Sequence, residues 1–492
     1  MGHIKEQTIK GSIYSYIGVG LGFLISGLFL PRLLTTGENG LLKLLISYSA
    51  LFAQFGTLGF TNATGRLFAF FRDKSKNHNG FLLLTVLVVL VGFALTMTIY
   101  YLLKDRIIER NLENAELFTT YIDFLIPLIF FTILFLIFDT YLVMLFQSVI
   151  GTFYKEFIQR ILILGSIAAF YFGYLTFSGF VAAYVISNCL PGLILVLALI
   201  ARGEFNPKPD WSLMDKPMIR ALASMSFFGI IVGFSNIMVL NVDSIIVSRM
   251  LGIEATGIYA ITFFFSTLII IPSRSLKKIS GTIMADAWKN GDMKTIRDVY
   301  RKSSINQLIF GTLIFIGLWG NIHNVFKILP QEYEAGKYVI FFLGITNLIE
   351  MTSGAGNSLL ATSKYYRTTA FLNLLLVVMV IGFNIVFIKL FGLTGAAIAS
   401  TSSYLIYNAI RYIIIYRLFK MSPFALQHIY TLLLALAVYL LSVLIPVLHN
   451  FVLDIAVRSS VMALAFGLGV YFLNLSKDIN DTVDGVLKKW LR

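Results

Sequence analysis

Apolar residues recur along the chain in runs of about 20, the length that a helix needs to cross the hydrocarbon core of a bilayer. None of these runs shows the period-two alternation of a membrane-spanning β-strand. Fourteen runs can be marked, at residues 12–31, 41–65, 81–103, 119–146, 157–175, 178–200, 222–248, 257–273, 305–320, 338–361, 370–390, 394–416, 428–447 and 455–474. The pattern therefore predicts an all-α integral membrane protein with about fourteen transmembrane helices.

The composition strengthens this prediction. Of the 492 residues, 58% are hydrophobic and 13% are charged, and the mean hydropathy is +0.82, whereas a soluble protein carries about 25% charged residues. The net charge of +14 would suggest a nucleic-acid partner for a soluble protein, but in a membrane protein it marks cytoplasmic loops. We expect no nucleic-acid partner. The single cysteine, Cys189, excludes an intrachain disulfide and a multi-cysteine metal site, and we expect no metal.

The distribution of Lys and Arg orients the predicted helices. With the N-terminus inside, the inner segments hold 29 of the 39 basic residues, which predicts that both termini are cytoplasmic. The basic segment 274–304 is predicted to form an amphipathic helix on the membrane surface. The longest outer loops, 104–118 and 321–337, are too short for a catalytic domain, and the chain has no phosphate-binding G-x-x-x-x-G-K-[ST] motif. We therefore expect a protein that is not an enzyme.

Two short motifs each occur twice, and the two copies of each motif are displaced along the chain by almost the same distance. R-x-L-x5-G begins at Arg32 and again at Arg249, and G-x-x-x-A begins at Gly179 and again at Gly395. The repeated motifs imply two halves of six helices each. Because each half has an even number of helices, the two halves would run parallel, related by an axis along the membrane normal, and would suit alternating access. The predicted parts are 1–215 and 216–420 as the two halves, and 421–492 as two further transmembrane helices with a cytoplasmic tail.

Three acidic residues lie deep within predicted transmembrane helices, away from the helix ends: Asp139, Asp243 and Glu350. A charge at the bilayer centre costs about 2.5–3.5 kcal/mol on insertion scales, so such residues face a bundle interior or a water-filled cavity. Each acid either accepts hydrogen bonds that fix helix packing or binds a coupling proton or Na⁺. We favour packing for Asp139 and Glu350, in the fourth helix of each half. Asp243, deep in the seventh helix, is the better candidate for ion coupling.

Basic residues lie at the ends of the helices that would line a central cavity. Arg66 and Arg274 lie at the inner ends of helices 2 and 8, and Arg32 and Arg249 at the outer ends of helices 1 and 7. They either follow the positive-inside rule and extend toward headgroups, or form a cationic cavity in which guanidinium groups bind phosphate oxygens in pairs. The predicted substrate-binding residues are Arg66, Arg274, Arg32, Arg249, Asn62 and Asn241.

A family resemblance rests on several stretches in succession. They are SIYSYIGVGLGFLISGLFLPRLLTTGENGLLKLL, FTNATGRLFAFFRD, GIYAITFFFSTLIIIPSRSLKKIS, TSGAGNSLLATSKYYRTTAFLN and FGLTGAAIASTSSYLIYNAIR. With them the chain resembles, over about residues 1–420, the polysaccharide flippases of the multidrug/oligosaccharidyl-lipid/polysaccharide exporter superfamily, whose fold is shared with the MATE drug transporters.

The resemblance implies export of undecaprenyl-diphosphate-linked oligosaccharide units across the bacterial inner membrane by alternating access. The units would serve O-antigen (lipopolysaccharide), capsule or another surface glycan. A proton or Na⁺ gradient would drive export without a bound cofactor, and other glycan-assembly membrane proteins are expected partners beside the lipid-linked substrate and the bilayer.

Three alternatives remain open. A MATE-type cation-coupled drug antiporter shares the two halves, but a cationic cavity suits cationic drugs poorly, and the two further helices favour the flippase. A membrane glycan polymerase or ligase would typically need a larger outer loop. A scaffolding role in a glycan-assembly complex is compatible with the sequence as an added function.

Overall fold

A computed structural model describes residues 2–109, 115–204 and 214–490, and this part of the chain is helical throughout, with no β-strand. The prediction of an all-α protein is confirmed. The predicted outer loop 104–118 and the inner segment 202–220 lie partly outside the described residues. By its internal contacts the chain divides into two compact units, Met1–Ala260 and Ile261–Arg492. The predicted parts 1–215, 216–420 and 421–492 follow the sequence repeat rather than compactness, and they stay a prediction.

The helices follow one another with short connections. Those of the first part are α1 (Gly2–Gly22), α2 (Leu30–Leu33), α3 (Thr36–Gly56), α4 (Phe60–Phe71), α5 (Phe81–Glu109), α6 (Ala115–Tyr121), α7 (Leu125–Met144), α8 (Ser148–Phe153), α9 (Gln159–Tyr171), α10 (Phe177–Ala201), α11 (Lys216–Leu251) and α12 (Ile253–Thr267). Those of the remainder are α13 (Ile271–Lys289), α14 (Met293–Gly320), α15 (Ile322–Ile328), α16 (Lys337–Thr352), α17 (Gly356–Thr362), α18 (Tyr366–Phe419), α19 (Leu426–Val443), α20 (Phe451–Phe472) and α21 (Lys477–Trp490).

Ten helices of the described chain are long and apolar enough to cross a membrane, or twelve if each of two bent pairs counts as one span. The protein is therefore a multi-pass membrane protein, and the count of fourteen stays a prediction. One reason for the difference is α18, whose 54 residues cover two predicted spans and contain a break at Gly392. A second is the helical stretch 148–171, which carries Lys155, Glu156 and Arg160 within it.

Two helices contain π-helical segments, Phe23–Phe29 after α1 and Tyr154–Ile158 between α8 and α9. Such widened turns leave backbone carbonyls without their usual partners. Arg160 bridges the two helices, since one guanidinium nitrogen donates to the Gly18 carbonyl at 2.6 Å and the other to a Glu156 carboxylate oxygen at 2.6 Å.

The start of α3 is fixed by a capping box. The Glu38 amide donates to the Thr35 hydroxyl at 3.2 Å, and the Thr35 amide donates to the Glu38 carboxylate at 2.8 Å. The T-x-x-E spacing thus satisfies two backbone donors that a helix start otherwise leaves open. This cap places Gly40 one turn and Lys43 two turns into the helix.

The two R-x-L-x5-G motifs meet in space. A Cβ at Gly40 would overlap the carbonyl of Ile253, and a Cβ at Gly257 would overlap the carbonyl of Thr36. The contact is reciprocal, because Thr36 and Ile253 hold the same position in the two copies of the motif, as do Gly40 and Gly257. A glycine is needed in both copies because the first turns of α3 and α12 approach each other with backbone against backbone.

Candidate functional site

Asp243 lies where α3, α11 and α12 meet. Its side chain is buried, at 5% exposure. The Tyr259 hydroxyl on α12 donates to a carboxylate oxygen at 2.9 Å, and Lys43 on α3 is close enough for its charge to act on Asp243. The capping box and the glycine contact described above set this geometry. Asp243, the predicted coupling residue, therefore accepts a hydrogen bond from a tyrosine hydroxyl and lies within reach of the positive charge of a lysine.

The two predicted asparagines belong to α4 and α11. Asn62 donates from its amide to the Met225 carbonyl at 3.4 Å and so joins α4 to α11. Asn241 is buried and donates to the Ile237 carbonyl of its own helix at 3.0 Å. Both side chains contact backbone in this conformation, and their assignment to substrate binding stays a prediction.

Glu350 lies in a network that joins three helices of the unit Ile261–Arg492. It is 14% exposed, and its two carboxylate oxygens bind Lys277 of α13 at 2.9 Å and Arg411 of α18 at 3.1 Å. Asn408 donates to the second oxygen at 3.4 Å, and Arg411 also donates to Ser353. Removing one member of a buried ion network leaves an uncompensated charge, which is strongly destabilising. The arrangement gives Glu350 a packing role, with a surplus of positive charge around it.

Asp139 of α7 packs against Gly151 of α8, where a Cβ would overlap its carboxylate. Lys155 acts on it as the neighbouring cation, and the Lys155 ammonium lies 4.4 Å from the centre of the Phe135 ring. Like the other two predicted acids, Asp139 therefore has a basic neighbour.

The four predicted arginines lie at helix ends or on exposed faces. Arg66 in α4, Arg274 in α13 and Arg32 in the last turn of α2 are exposed, whereas Arg249 in the last turn of α11 is half-buried with its Nε atom enclosed. Arg274 lies one turn before Lys277, the residue of α13 that pairs with Glu350. Whether Arg66 and Arg274, or Arg32 and Arg249, act together on a substrate stays a prediction.

The basic segment 274–304 differs from the prediction of a separate surface helix. One tight turn, Leu268–Ile270, continues α12 into α13, so helical structure extends to Lys289, and α14 begins after the connection 290–292. Asp292 caps α14 by accepting from the Thr295 amide at 3.0 Å and from its hydroxyl at 2.6 Å. These hydrogen bonds hold the pKa of the Asp292 carboxyl below its usual range. The basic residues of this segment therefore lie within two long helices, α13 and α14.

The sequence interpretation misses the cations that accompany the acids, because it counts Lys277 and Arg411 only as loop charges. A helical signal is nevertheless present, because Tyr407, Asn408 and Arg411 follow one another at spacings that share a helix face.

A second missed network surrounds Asp454 of α20, which is fully buried. It accepts from the His323 ring at 2.9 Å and from the Leu448 amide at 2.9 Å, and it also binds Asn324 and Arg458. Within residues 2–109, 115–204 and 214–490, no group of three His, Cys, Asp or Glu side chains is arranged to hold a metal ion.

Comparisons with known proteins give a family and a fold. A family model described as polysaccharide biosynthesis protein matches residues 8–276. A comparison with curated protein sequences gave no match.

Among solved structures, the chain is similar to lipid II flippase MurJ in an inward closed conformation, with a TM-score of 0.75 and 13% identity, over 94% of this chain and 98% of that one. It is similar to an inward-facing multidrug resistance MATE family transporter of the MOP superfamily, with a TM-score of 0.60 and 14% identity, over 83% and 94%. A third similar structure is a MOP superfamily transporter from Pyrococcus furiosus described by the reverse polarity of its binding pocket, with a TM-score of 0.55 and 14% identity, over 85% and 97%. These likenesses establish the fold.

Proposed function

Since the chain belongs to the polysaccharide biosynthesis protein family, we propose that it is a flippase for a lipid-linked oligosaccharide. The substrate in this proposal is an undecaprenyl-diphosphate-linked repeat unit for O-antigen, capsule or another surface glycan. The site of action is the bacterial inner membrane, with both chain termini in the cytoplasm. The proposal assigns transport by alternating access and no catalytic step to this chain.

The observation that carries the proposal is the pairing of each predicted intramembrane acid with a cation. Lys155 accompanies Asp139, Lys43 accompanies Asp243, and both Lys277 and Arg411 accompany Glu350. A transporter of cationic drugs needs acidic groups available to its substrate, whereas here basic groups offset them. The diphosphate of a lipid-linked sugar is an anion, and guanidinium groups bind phosphate oxygens in pairs.

In this mechanism Arg66 and Arg274 receive the diphosphate from the cytoplasmic side, and Arg32 and Arg249 release it on the other side. Asn62 and Asn241 would donate to the sugar or phosphate oxygens after leaving their present backbone partners. Asp243 would couple export to a proton or Na⁺ gradient by exchanging its contact with Lys43 for the ion. No bound cofactor is needed, and other glycan-assembly membrane proteins would supply and remove the lipid-linked unit.

The second candidate is a cation-coupled drug antiporter. The observation that favours it is the likeness to a MATE family transporter with a TM-score of 0.60. The charge environment of the acids favours the flippase, and the experiment below separates the two functions.

The test is depletion of the protein in a conditional strain of its own host, followed by extraction of lipid-linked oligosaccharides. Complete units are expected to accumulate on the inner face, where a membrane-impermeant probe added to intact spheroplasts does not reach them. Accumulation of single units on the outer face would instead identify a polymerase or ligase. New sensitivity to cationic drugs without accumulation would identify the antiporter.

A further inference from the structure

Two cavities of the unit Ile261–Arg492 share one wall, and they differ in chemistry. The first has a volume of about 440 Å³ and is lined by charged side chains that include Arg301 and Lys477. The second has a volume of about 320 Å³ and is lined mainly by apolar side chains that include Leu405 and Ala409. Pro423 borders both cavities. The two cavities are thus complementary in chemistry to a molecule with a charged head and an apolar tail.

The charged cavity is lined by the cations Arg301, Lys302 and Lys477 and by the acids Asp298 and Asp478, so its lining has one net positive charge. Lys302 is bound to one carboxylate oxygen of Asp478 at 2.6 Å, and Asn306 donates to the other at 3.2 Å, so Asp478 is already occupied. Arg301 and Lys477 are exposed, and neither forms an ion pair within the part of the chain that the structure describes. Two exposed cations in the lining of one cavity suit a phosphate group, which accepts several charge-assisted hydrogen bonds.

The apolar cavity opens along α18. Leu405 and Phe424 are 56% and 46% exposed, and Ala409 is exposed beside them. Leu405 and Ala409 belong to the predicted membrane span 394–416, so they are expected at the depth of the lipid tails. The natural occupant of such a groove is a hydrocarbon chain.

The wall between the cavities is held in place. Tyr300 lines the apolar cavity and the next residue, Arg301, lines the charged one. The buried His428, which also lines the charged cavity, forms a hydrogen bond with Ser304 through Nε2 at 2.9 Å, and its Nδ1 contacts the Ala425 backbone. A ligand that fills both cavities would pass Pro423, which borders both, with its apolar part on the side of Phe424.

We propose that the two cavities together bind one anionic glycerophospholipid of the cytoplasmic leaflet. Its phosphate lies between Arg301 and Lys477, and one acyl chain lies against Leu405, Ala409 and Phe424. Anionic lipids are enriched in this leaflet and are attracted to basic residues at its surface. The lipid is a resident component that joins the ends of α14, α18 and α21, and the inference does not depend on the transported substrate.

The test uses the purified full-length protein, delipidated in detergent and incubated with phosphatidylglycerol or with phosphatidylethanolamine of the same acyl chains. Native mass spectrometry counts the lipids that remain bound. The wild type is expected to retain one phosphatidylglycerol about tenfold more strongly than phosphatidylethanolamine. The Arg301→Gln/Lys477→Gln variant should lose this preference, and Ala409→Trp, which fills the groove, should lose retention of both lipids.

Two matched controls separate the site from general effects. Arg297→Gln removes an exposed cation one turn before Arg301, and Ile413→Trp places a tryptophan side chain one turn beyond Ala409, outside both cavities. Both controls should retain phosphatidylglycerol like the wild type, and thermal unfolding verifies that every variant is folded. Equal retention of the two lipids by the wild type would overturn the proposal. A charge variant that keeps the preference for phosphatidylglycerol, or an Ala409→Trp variant that retains either lipid, would overturn it as well.

Discussion

Gly40 and Gly257 lie against each other where α3 and α12 begin, and each makes room for the backbone of the opposite helix. The carbonyl of Ile253 occupies the space that a side chain on Gly40 would need, and the carbonyl of Thr36 does the same for Gly257. The contact lies one turn from Lys43 and close to Tyr259 in the chain. It therefore controls how closely these residues approach Asp243.

Gly40→Ala and Gly257→Ala are each expected to destabilise the protein, by about 1–3 kcal/mol, since a methyl group there overpacks a helix contact. Thermal unfolding of the purified protein measures the effect. Gly165→Ala is the matched control, because a Cβ at this helical glycine meets nothing within 4 Å. An unchanged melting temperature for both motif variants would show that moving the two helices apart does not lower the stability of the protein.

Asp243→Asn is expected to reduce glycan export at least about tenfold and to destabilise the protein, because it leaves the Lys43 ammonium without its acid. The double variant Lys43→Met/Asp243→Asn removes both charges and should recover stability without recovering export. Export is measured as surface glycan, and stability as melting temperature. Recovery of export by the double variant would show that Asp243 only neutralises Lys43.

Glu350→Gln is expected to cost about 3–5 kcal/mol of stability, because Lys277 and Arg411 then face each other without their shared carboxylate. The amount of protein in the membrane and its melting temperature should both fall. Glu334→Gln, at an exposed acid of the same unit, is the control and should change neither quantity. A stable Glu350→Gln variant that loses export would move Glu350 from packing to transport.

Arg66→Ala and Arg274→Ala are each expected to lower surface glycan about tenfold or more, at unchanged protein level, if these guanidinium groups bind the diphosphate. Arg220→Ala, at another exposed arginine in a predicted inner segment, is the control. Loss of the protein itself would instead assign the two residues to insertion and topology.

Two engineered disulfides test movement around α3. Cys189 is the native cysteine and is buried, so Cys189→Ser provides the background. Pairing Gln54→Cys with Gly233→Cys joins α3 to α11, and pairing Gly37→Cys with Glu254→Cys joins the starts of α3 and α12. Alternating access predicts that each bond blocks export and that a reductant restores it.

The control for these bonds lies within the other unit. A bond between Gly320→Cys and Ser442→Cys joins two positions that are close together, since a Cβ on Gly320 would lie 3.3 Å from the Ser442 hydroxyl, and it should leave export unchanged. Full export with either of the first two bonds in place would contradict a rocking motion at that contact.

The sequence predicts the helical fold well, because a backbone in lipid must satisfy its hydrogen bonds within a helix. The three acids can also be found, since charge is rare in such segments. The basic partners of these acids cannot be found from the sequence, because Lys43 is far from Asp243 along the chain, and a whole predicted span separates Lys277 from Glu350. Charge counting further assigns Lys277 and Arg411 to loops, where a basic residue needs no partner.

The break in α18 has a consequence for the topology of the rest of the chain. Without it, the 54 residues of this helix, at about 1.5 Å each, would form a rod of about 80 Å, far longer than the roughly 30 Å hydrocarbon core. Gly392 has φ of 57° and ψ of −136°, a conformation that is open essentially only to glycine. Gly395 is then brought against the carbonyl of Phe387, so the chain turns back on itself. The backbone conformation of this one glycine thus determines on which side of the membrane the part of the chain after α18 begins.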